Sequence, residues 1–263
     1  MDLTDTQLER YARHIVLREI GGAGQKKLLA ASVLVVGAGG LGAPALLYLA
    51  AAGVGRLGVV DDDEVALSNL QRQVIYRTDA VGQPKTAQAA VALHALNPDV
   101  AVETHPLRLD RTNAAALIKD YDLVIDGSDN FATRFILNDA CHLLAKTLIA
   151  AAVGPFDGQL ATFKSHDGRH PCYRCFVPAP PPGDEGTCAD QGILGALAGV
   201  MGTLAALEAL KELAGAGDSL AGRILLYDGL GARMRTIALA KDPACPLCGA
   251  RPRIRGLDDI GQA

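Results

Sequence analysis

Apolar positions along the chain follow two different periods. Near the start, Leu8, Tyr11, Ala12, Ile15 and Val16 recur every three to four residues, and this stripe predicts a helix running to about Arg18. Thr4 and Gln7 have the spacing of a capping box at its N-terminus. From Val33 onward the pattern becomes short apolar runs separated by glycine or polar turns. Residues 33–36 predict a strand, 37–42 a glycine turn, 43–52 a helix, and "RLGVV" a second strand. Helices are predicted over 84–97, with Pro84 in the first turn, over 113–121 and over 132–147. Strands are predicted at 100–107, at the start of 122–130, and at 148–154. Strands alternating with helices predict an α/β fold with a doubly wound, mostly parallel, Rossmann-like sheet.

The pattern changes after that point. "GQLATFK", "RILLYD" and "MRTIALA" read as strands with fewer helices between them, which predicts a partly antiparallel C-terminal extension. The most apolar stretch, 191–207, lies between Asp190 and Glu208 and is rich in Gly and Ala. Its length barely matches a bilayer, so it reads as a buried helix. Gly195, Gly199 and Gly202 fall on one helical face, where a second backbone can pack closely; a glycine-rich core helix without such a partner is the alternative. Residues 178–186, "PAPPPGDEG", read as a mobile loop, and the tail from Gly249 is polar and expected to be disordered. No internal repeat is present.

At 263 residues the chain suffices for one large domain or two small ones. A formal net charge of −4, with no block of Lys or Arg, argues against nucleic acid and against an anionic membrane. The polar opening, "MDLTDTQLERYARH", does not resemble a signal peptide. Four of six cysteines form two Cys-x-x-Cys pairs, which in a reducing, cytoplasmic setting suggests metal rather than disulfides.

Gly37, Gly39 and Gly42 match G-x-G-x-x-G, and Gly40 adds a further bare position. Set between a strand and a helix, the motif lets backbone approach a phosphate at a helix N-terminus. Asp61 follows about twenty residues on, where a carboxylate can bind ribose hydroxyls. To this point an NAD-dependent oxidoreductase fits. "SNLQRQ", with Asn69, Gln71 and Arg72, and "GQPK", with Lys85, then favour ATP, because a triphosphate needs cations as it breaks. Taken singly, Arg72 and Lys85 could be solvated surface charges. Asp129 lies past another strand end and could hold Mg²⁺, or it could cap the helix beginning "FATRF". Cys172 and Cys175, with Cys245 and Cys248, have the spacing of a four-thiolate zinc site, which leaves no open position and is therefore structural. His170 is near but unnecessary as a ligand. Cys188 is unpaired and is either an accessible nucleophile or simply a small residue; Cys141 reads as core.

"RYARHIVL", "GAGGLG", "VVDDDEVALSNLQRQ", "GQPK", "DGSDN", "PCYRC" and "CPLC", in this order over nearly the whole chain, resemble the MoeB/ThiF adenylyltransferases, relatives of ubiquitin-activating enzymes. The resemblance implies a cytoplasmic homodimer that uses ATP and Mg²⁺ to adenylylate the C-terminal glycine of a small ubiquitin-like sulfur carrier protein ending in Gly-Gly. Pyrophosphate is released and the carrier becomes ready for thiocarboxylate formation. The molybdopterin synthase small subunit is the first expected carrier and the thiamin-pathway carrier the second. The resemblance implies that Gly37, Gly39, Gly40, Gly42, Asp61, Ser68, Asn69, Leu70, Gln71, Arg72, Lys85, Asp129 and Asn130 surround the nucleotide. It places Arg13 in the neighbouring subunit's site and assigns catalysis to Arg13, Arg72, Lys85 and Asp129. The four paired cysteines would bind Zn²⁺, and Cys188 would match a loop cysteine that some members use in sulfur chemistry. The implied organisation is one nucleotide-binding domain over 1–249, made of an arm (1–30), a Rossmann-like core (31–155) and a carrier-binding, zinc-bearing part (156–249), with a polar tail at 250–263. No sulfur-delivering domain follows Cys248 here, so a separate sulfur donor protein is expected. A module that binds ATP and a carrier without turnover is the remaining rival.

Overall fold

The computed structural model describes residues 2–179 and 192–260. Its first strand, β1 (Ser32–Val36), is buried at every position. Val33 and Val35 pack into one core, while Leu34 and Val36 pack into another on the opposite face. A strand covered on both faces carries apolar side chains throughout, which is why it reads as a continuous run. β2 (Arg56–Val60), β3 (Ala101–His105), β4 (Leu123–Asp126) and β5 (Thr147–Val153) join β1 in parallel, in the order β3-β2-β1-β4-β5. β6 (Asp157–Phe163), β7 (Arg223–Asp228) and β8 (Arg233–Ala238) extend the sheet antiparallel to eight strands. The doubly wound fold with an antiparallel extension is therefore as expected.

The helices in chain order are α1 (Asp5–Arg10), α2 (Ala12–Ile15), α3 (Gly21–Ala30), α4 (Gly42–Ala51), α5 (Lys85–Leu96), α6 (Ala114–Ile118), α7 (Phe131–Leu143), α8 (Tyr173–Phe176) and α9 (Gly195–Ala214). Leu46 and Leu49 of α4, Leu93 of α5, and Met201 and Ala205 of α9 fill the first core. Ile118 of α6, Leu137 of α7 and Tyr173 of α8 fill the second. The sheet is thus a layer between two helical layers.

Several expectations are corrected. The N-terminal helix does begin with the Thr4–Gln7 capping box, but it breaks at Tyr11. Tyr11 is buried and its hydroxyl accepts a hydrogen bond from Asn97 Nδ2 at 2.9 Å. Gly53 leaves the space for this ring, since a Cβ there would lie 2.3 Å from the Tyr11 hydroxyl oxygen. Leu8 and Val16 of the predicted stripe are exposed instead. Glu208 does not end the apolar helix. It sits buried inside α9 and accepts from Thr162 Oγ1, Leu220 N and Lys211 Nζ. Two of the three face glycines meet backbone: Cβ atoms on Gly195 and Gly202 would lie 2.1 Å from Gln71 O and 2.3 Å from Leu41 O, whereas Gly199 faces open space. Asp190 and Gln191 lie outside the described residues, as do 180–186 of the Pro/Gly-rich segment. Among the described residues no helix is long and apolar enough to cross a membrane.

The tail is also docked rather than loose, as far as Ile260. Ile254 packs among Cys172, Cys245, Leu247 and Cys248. Ile260 is fully buried in the second core. Asp259 Oδ2 accepts from the backbone N–H groups of Arg255 and Gly256, which turns the chain toward that core. A polar average conceals two well-spaced apolar anchors.

α8 is tied to α7 by a buried ion pair. Arg174 Nε and Nη2 each donate to the Asp139 carboxylate at 2.7 Å, and the guanidinium lies over the Phe135 ring at 4.6 Å. Both side chains are out of solvent. Removing one partner strands a buried charge, so Asp139→Ala should lower unfolding free energy by roughly 3–5 kcal/mol in urea denaturation. Asp139→Leu combined with Arg174→Met should recover most of that loss, because no charge is then left buried. Equal destabilisation by the single and double changes would contradict this.

Candidate functional site

A cavity of about 510 Å³ opens at the C-terminal ends of β1, β2 and β4, where the strand order reverses. The glycines of the first turn divide the work. Gly37 has φ +88°, and a Cβ there would lie 2.8 Å from Gly127 O. A Cβ on Gly42 would lie 1.8 Å from Gly37 O. These two glycines allow β1, β4 and α4 to meet. Gly39 and Gly40 line the cavity, Gly40 between Ala198 and the Arg72 stem.

Asp61 ends β2 at the cavity wall. Its Oδ2 accepts from Ala38 N at 2.8 Å and its Oδ1 from Asp63 N at 2.9 Å. Burial pushes its pKa up, while the Lys85 ammonium and these two N–H groups pull it back. Lys85 begins α5 and is itself buried. Its Nζ lies 2.6 Å from Asp63 Oδ2 and 3.8 Å from Asp61 Oδ1. The Tyr76 hydroxyl donates to Ala38 O at 2.8 Å and so braces the same loop.

The segment after β2 turns twice before α5. Asn69 Oδ1 accepts from Ala66 N, and Arg72 Nη1 donates to Ser68 O. Asn69 and Arg72 line the cavity; Ser68, Leu70 and Gln71 do not. Ser68 and Gln71 are exposed, and Leu70 packs on the first core. On the β4 side, Asn130 Oδ1 accepts from Thr133 N at 2.9 Å and caps α7. The cap is therefore Asn130, and Asp129 is left exposed at the cavity mouth. Buried Asp126 accepts from both the N–H and the hydroxyl of Ser128, and Arg134 Nη2 donates to Ser128 O and Ala151 O. These bonds fix the loop that carries Asp129.

Gly37, Gly39, Gly40, Asp61, Asn69, Arg72, Lys85, Asp129 and Asn130 thus share one cavity. Gln73, Arg108 and Arg134 also line it and were not read from the sequence. Gln73 stands at the end of "SNLQRQ" but has no charge to mark it, and Arg134 reads as a solvated helix position. Arg13 is exposed on α2 and does not line this chain's cavity. Among the described residues it makes no ion pair. Cys188 lies outside the described residues. Cys141 is buried, as expected, and burial pushes its thiol up.

The paired cysteines converge. Sγ separations are 4.0 Å for Cys172–Cys175, 3.5 Å for Cys172–Cys245 and 3.4 Å for Cys175–Cys248. All four sulfurs lie within 4.8 Å of one another. A tetrahedral zinc with Zn–S bonds of about 2.3 Å has S···S edges of about 3.8 Å, so the donor set and spacing fit the ion. Asp242 N–H points at Cys175 Sγ at 3.4 Å and would support a thiolate there. His170 is held by Asp167 and stays out of the cluster.

Residues 11–247 match the ThiF family model. The chain belongs to the ThiF family. It is 51% identical to the sulfur carrier protein adenylyltransferase of Thermus thermophilus, over 98% of this chain and 97% of that one. It is 49% identical to the SAMP-activating enzyme E1 of Haloferax volcanii, over 95% of this chain and 92% of that one. Its 47% identity to the adenylyltransferase and sulfurtransferase MOCS3 of Anopheles gambiae covers 99% of this chain but 59% of that one. Escherichia coli MccB, solved with ATP, matches 94% of this chain and 75% of its own at a TM-score of 0.79 and 21% identity, which is a likeness of fold.

For this ThiF-family chain we expect one zinc per chain by elemental analysis. Cys175→Ala should lose the metal and lower the melting temperature, because binding energy at a structural site is folding energy. A metal-free wild-type preparation of equal stability would contradict the assignment.

Proposed function

We propose that this chain uses ATP to adenylylate the C-terminal carboxylate of a small ubiquitin-like sulfur carrier protein, with release of pyrophosphate. The observation that carries this reading is one cavity holding a ribose-type carboxylate, Asp61, together with two partly or fully buried cations, Arg72 and Lys85. The names of the relatives support the sulfur carrier as substrate. An NAD enzyme would leave those cations without a task. The molybdopterin synthase small subunit is our preferred carrier, and the thiamin-pathway carrier is the second.

The carrier's carboxylate is ionised at neutral pH and is already the nucleophile, so no general base is required. Its oxygen attacks the α-phosphorus, the bond to the bridging oxygen breaks, and pyrophosphate leaves with the electron pair. The protein's work is alignment and charge neutralisation. In our reading Asp61 accepts the ribose hydroxyls and the glycine turn, with the bare face of Gly39, seats the phosphates. Lys85, paired with Asp63, turns to the triphosphate. Asp129 would hold Mg²⁺, which neutralises phosphate charge when bound. Arg13 would complete the partner's site in a homodimer, and the exposed Leu8, Val16 and Leu17 of the arm supply an apolar surface for that contact. A separate protein would then deliver sulfur.

ATP–pyrophosphate exchange with each candidate carrier is the direct test. Exchange should depend on a carrier with an intact C-terminal glycine, and its absence with every such carrier would end the proposal. Asp61→Ala should weaken ATP binding by roughly 1.5–3 kcal/mol in calorimetry. Mixing Arg13→Ala with Lys85→Ala chains tests the shared site. Random exchange makes about half the dimers mixed, each with one intact site, so activity should return to about a quarter of wild type. Confirmed subunit exchange without recovery would place Arg13 in its own chain's chemistry or in none.

A further inference from the structure

Gln73 is 3% exposed and stands in the cavity wall. Its Oε1 is shut away from solvent without a hydrogen-bond partner, and among the described residues its Nε2 has none either. Only its backbone is used, the N–H donating to Asn69 O and the carbonyl accepting from Tyr76 N. Buried carboxamides are nearly always paired, and one left bare inside a cavity is available to whatever fills it. Its position relative to Gly39 says what that is. A Cβ built on Gly39 would lie 3.6 Å from Gln73 Nε2 and would meet nothing else within 4 Å. An atom resting on the bare face of Gly39 therefore comes within reach of one side chain, and that side chain offers an N–H.

We propose that Gln73 is a phosphate-contacting residue, donating from Nε2 to the phosphate oxygen seated on Gly39. This rests on the nucleotide reading of the cavity given above. A phosphate oxygen is an acceptor only, so it selects the NH₂ end of the amide. A neutral donor also complements Arg72 and Lys85: it fixes the direction of an oxygen without adding charge, and no carboxylate competes for it as Asp63 does for Lys85.

The test uses the full-length chain, with ATP and adenosine as probes in calorimetry and thermal melting. Gln73→Met keeps the length of the side chain and removes the amide. The ligand-free melting temperature should be unchanged or higher, because an unpaired buried polar group is gone. ATP affinity should fall about tenfold, which is about 1.4 kcal/mol, while adenosine affinity holds. Gln73→Glu places an acceptor against the phosphate, so its ATP affinity should fall further, again with adenosine unaffected. Unchanged ATP affinity in Gln73→Met would overturn the proposal. So would a lowered ligand-free melting temperature with equal losses for ATP and adenosine, which would mark a packing role. Wild-type protein that binds neither probe would instead overturn the nucleotide reading on which the proposal rests.

Discussion

The closest backbone approach in the site is where β1 and β4 part. There the carbonyl of Gly37 lies against Gly42 on one side and Gly127 on the other, with no room for a side chain at Gly37 or Gly42 and a tight fit at Gly127. Gly37 N–H is bonded to Val60 O, and Gly127 N–H to Val36 O, so the ends of β1, β2 and β4 are stitched at this crossing. The cavity floor is the consequence. With three backbone segments held this closely, the turn after β1 brings Gly39 and Gly40 to the cavity, Gly39 facing open space beside Gln73 and Gly40 lying against Ala198 and the Arg72 stem. A single methyl at Gly42 would lie 1.8 Å from the Gly37 carbonyl oxygen and force this backbone crossing apart, whatever the surrounding side chains did.

The charges around that floor are arranged to be redistributed. Lys85 is buried beside two carboxylates, and Asp61 is buried beside Lys85. Alone, either buried charge would be costly; together they are tolerable. Asp63 is mostly exposed and can return to water at little cost, whereas Asp61 is anchored by Ala38 N–H and Asp63 N–H. An entering polyanion would therefore draw Lys85 from Asp63 rather than from Asp61. The backbone anchors, not the ion pair, keep Asp61 in place through such a change.

How much was legible followed from how each residue does its work. The strands, their alternation with helices, and the glycine turn were visible because they rest on periodicity and on backbone sterics, which the order of residues records directly. The cysteine pairs were visible because chelation demands short spacing. Asp129 was ambiguous because a carboxylate at a strand end can hold a cation or cap the next helix, and only the Asn130–Thr133 bond shows that its neighbour is the cap. The break at Tyr11 depended on Gly53, forty-two residues later, leaving room for a ring. Ile254 and Ile260 were lost in a polar average, since an anchor needs one side chain and a pattern needs several. Gln73 carried no signal, because a neutral amide in a cavity looks like any surface glutamine.

α7 joins the cavity to the cysteine cluster. It runs thirteen residues, about 20 Å at the usual helical rise. Its first turn is capped at the cavity by Asn130, and its third turn carries Asp139, locked to Arg174 between the first two cysteines. The Asn138 side-chain oxygen also accepts from Tyr173 N–H, so two consecutive residues of α7 hold the cysteine turn. A helix with one end free could slide or roll by a fraction of a turn and carry Asp129 with it. A metal held by the four sulfurs would fix the turn that carries Arg174, Arg174 holds Asp139, and the rigidity of the helix would deliver that constraint to the loop at its other end. A closed four-sulfur metal site with no place for a reactant would thus matter to a distant cavity by holding one end of α7.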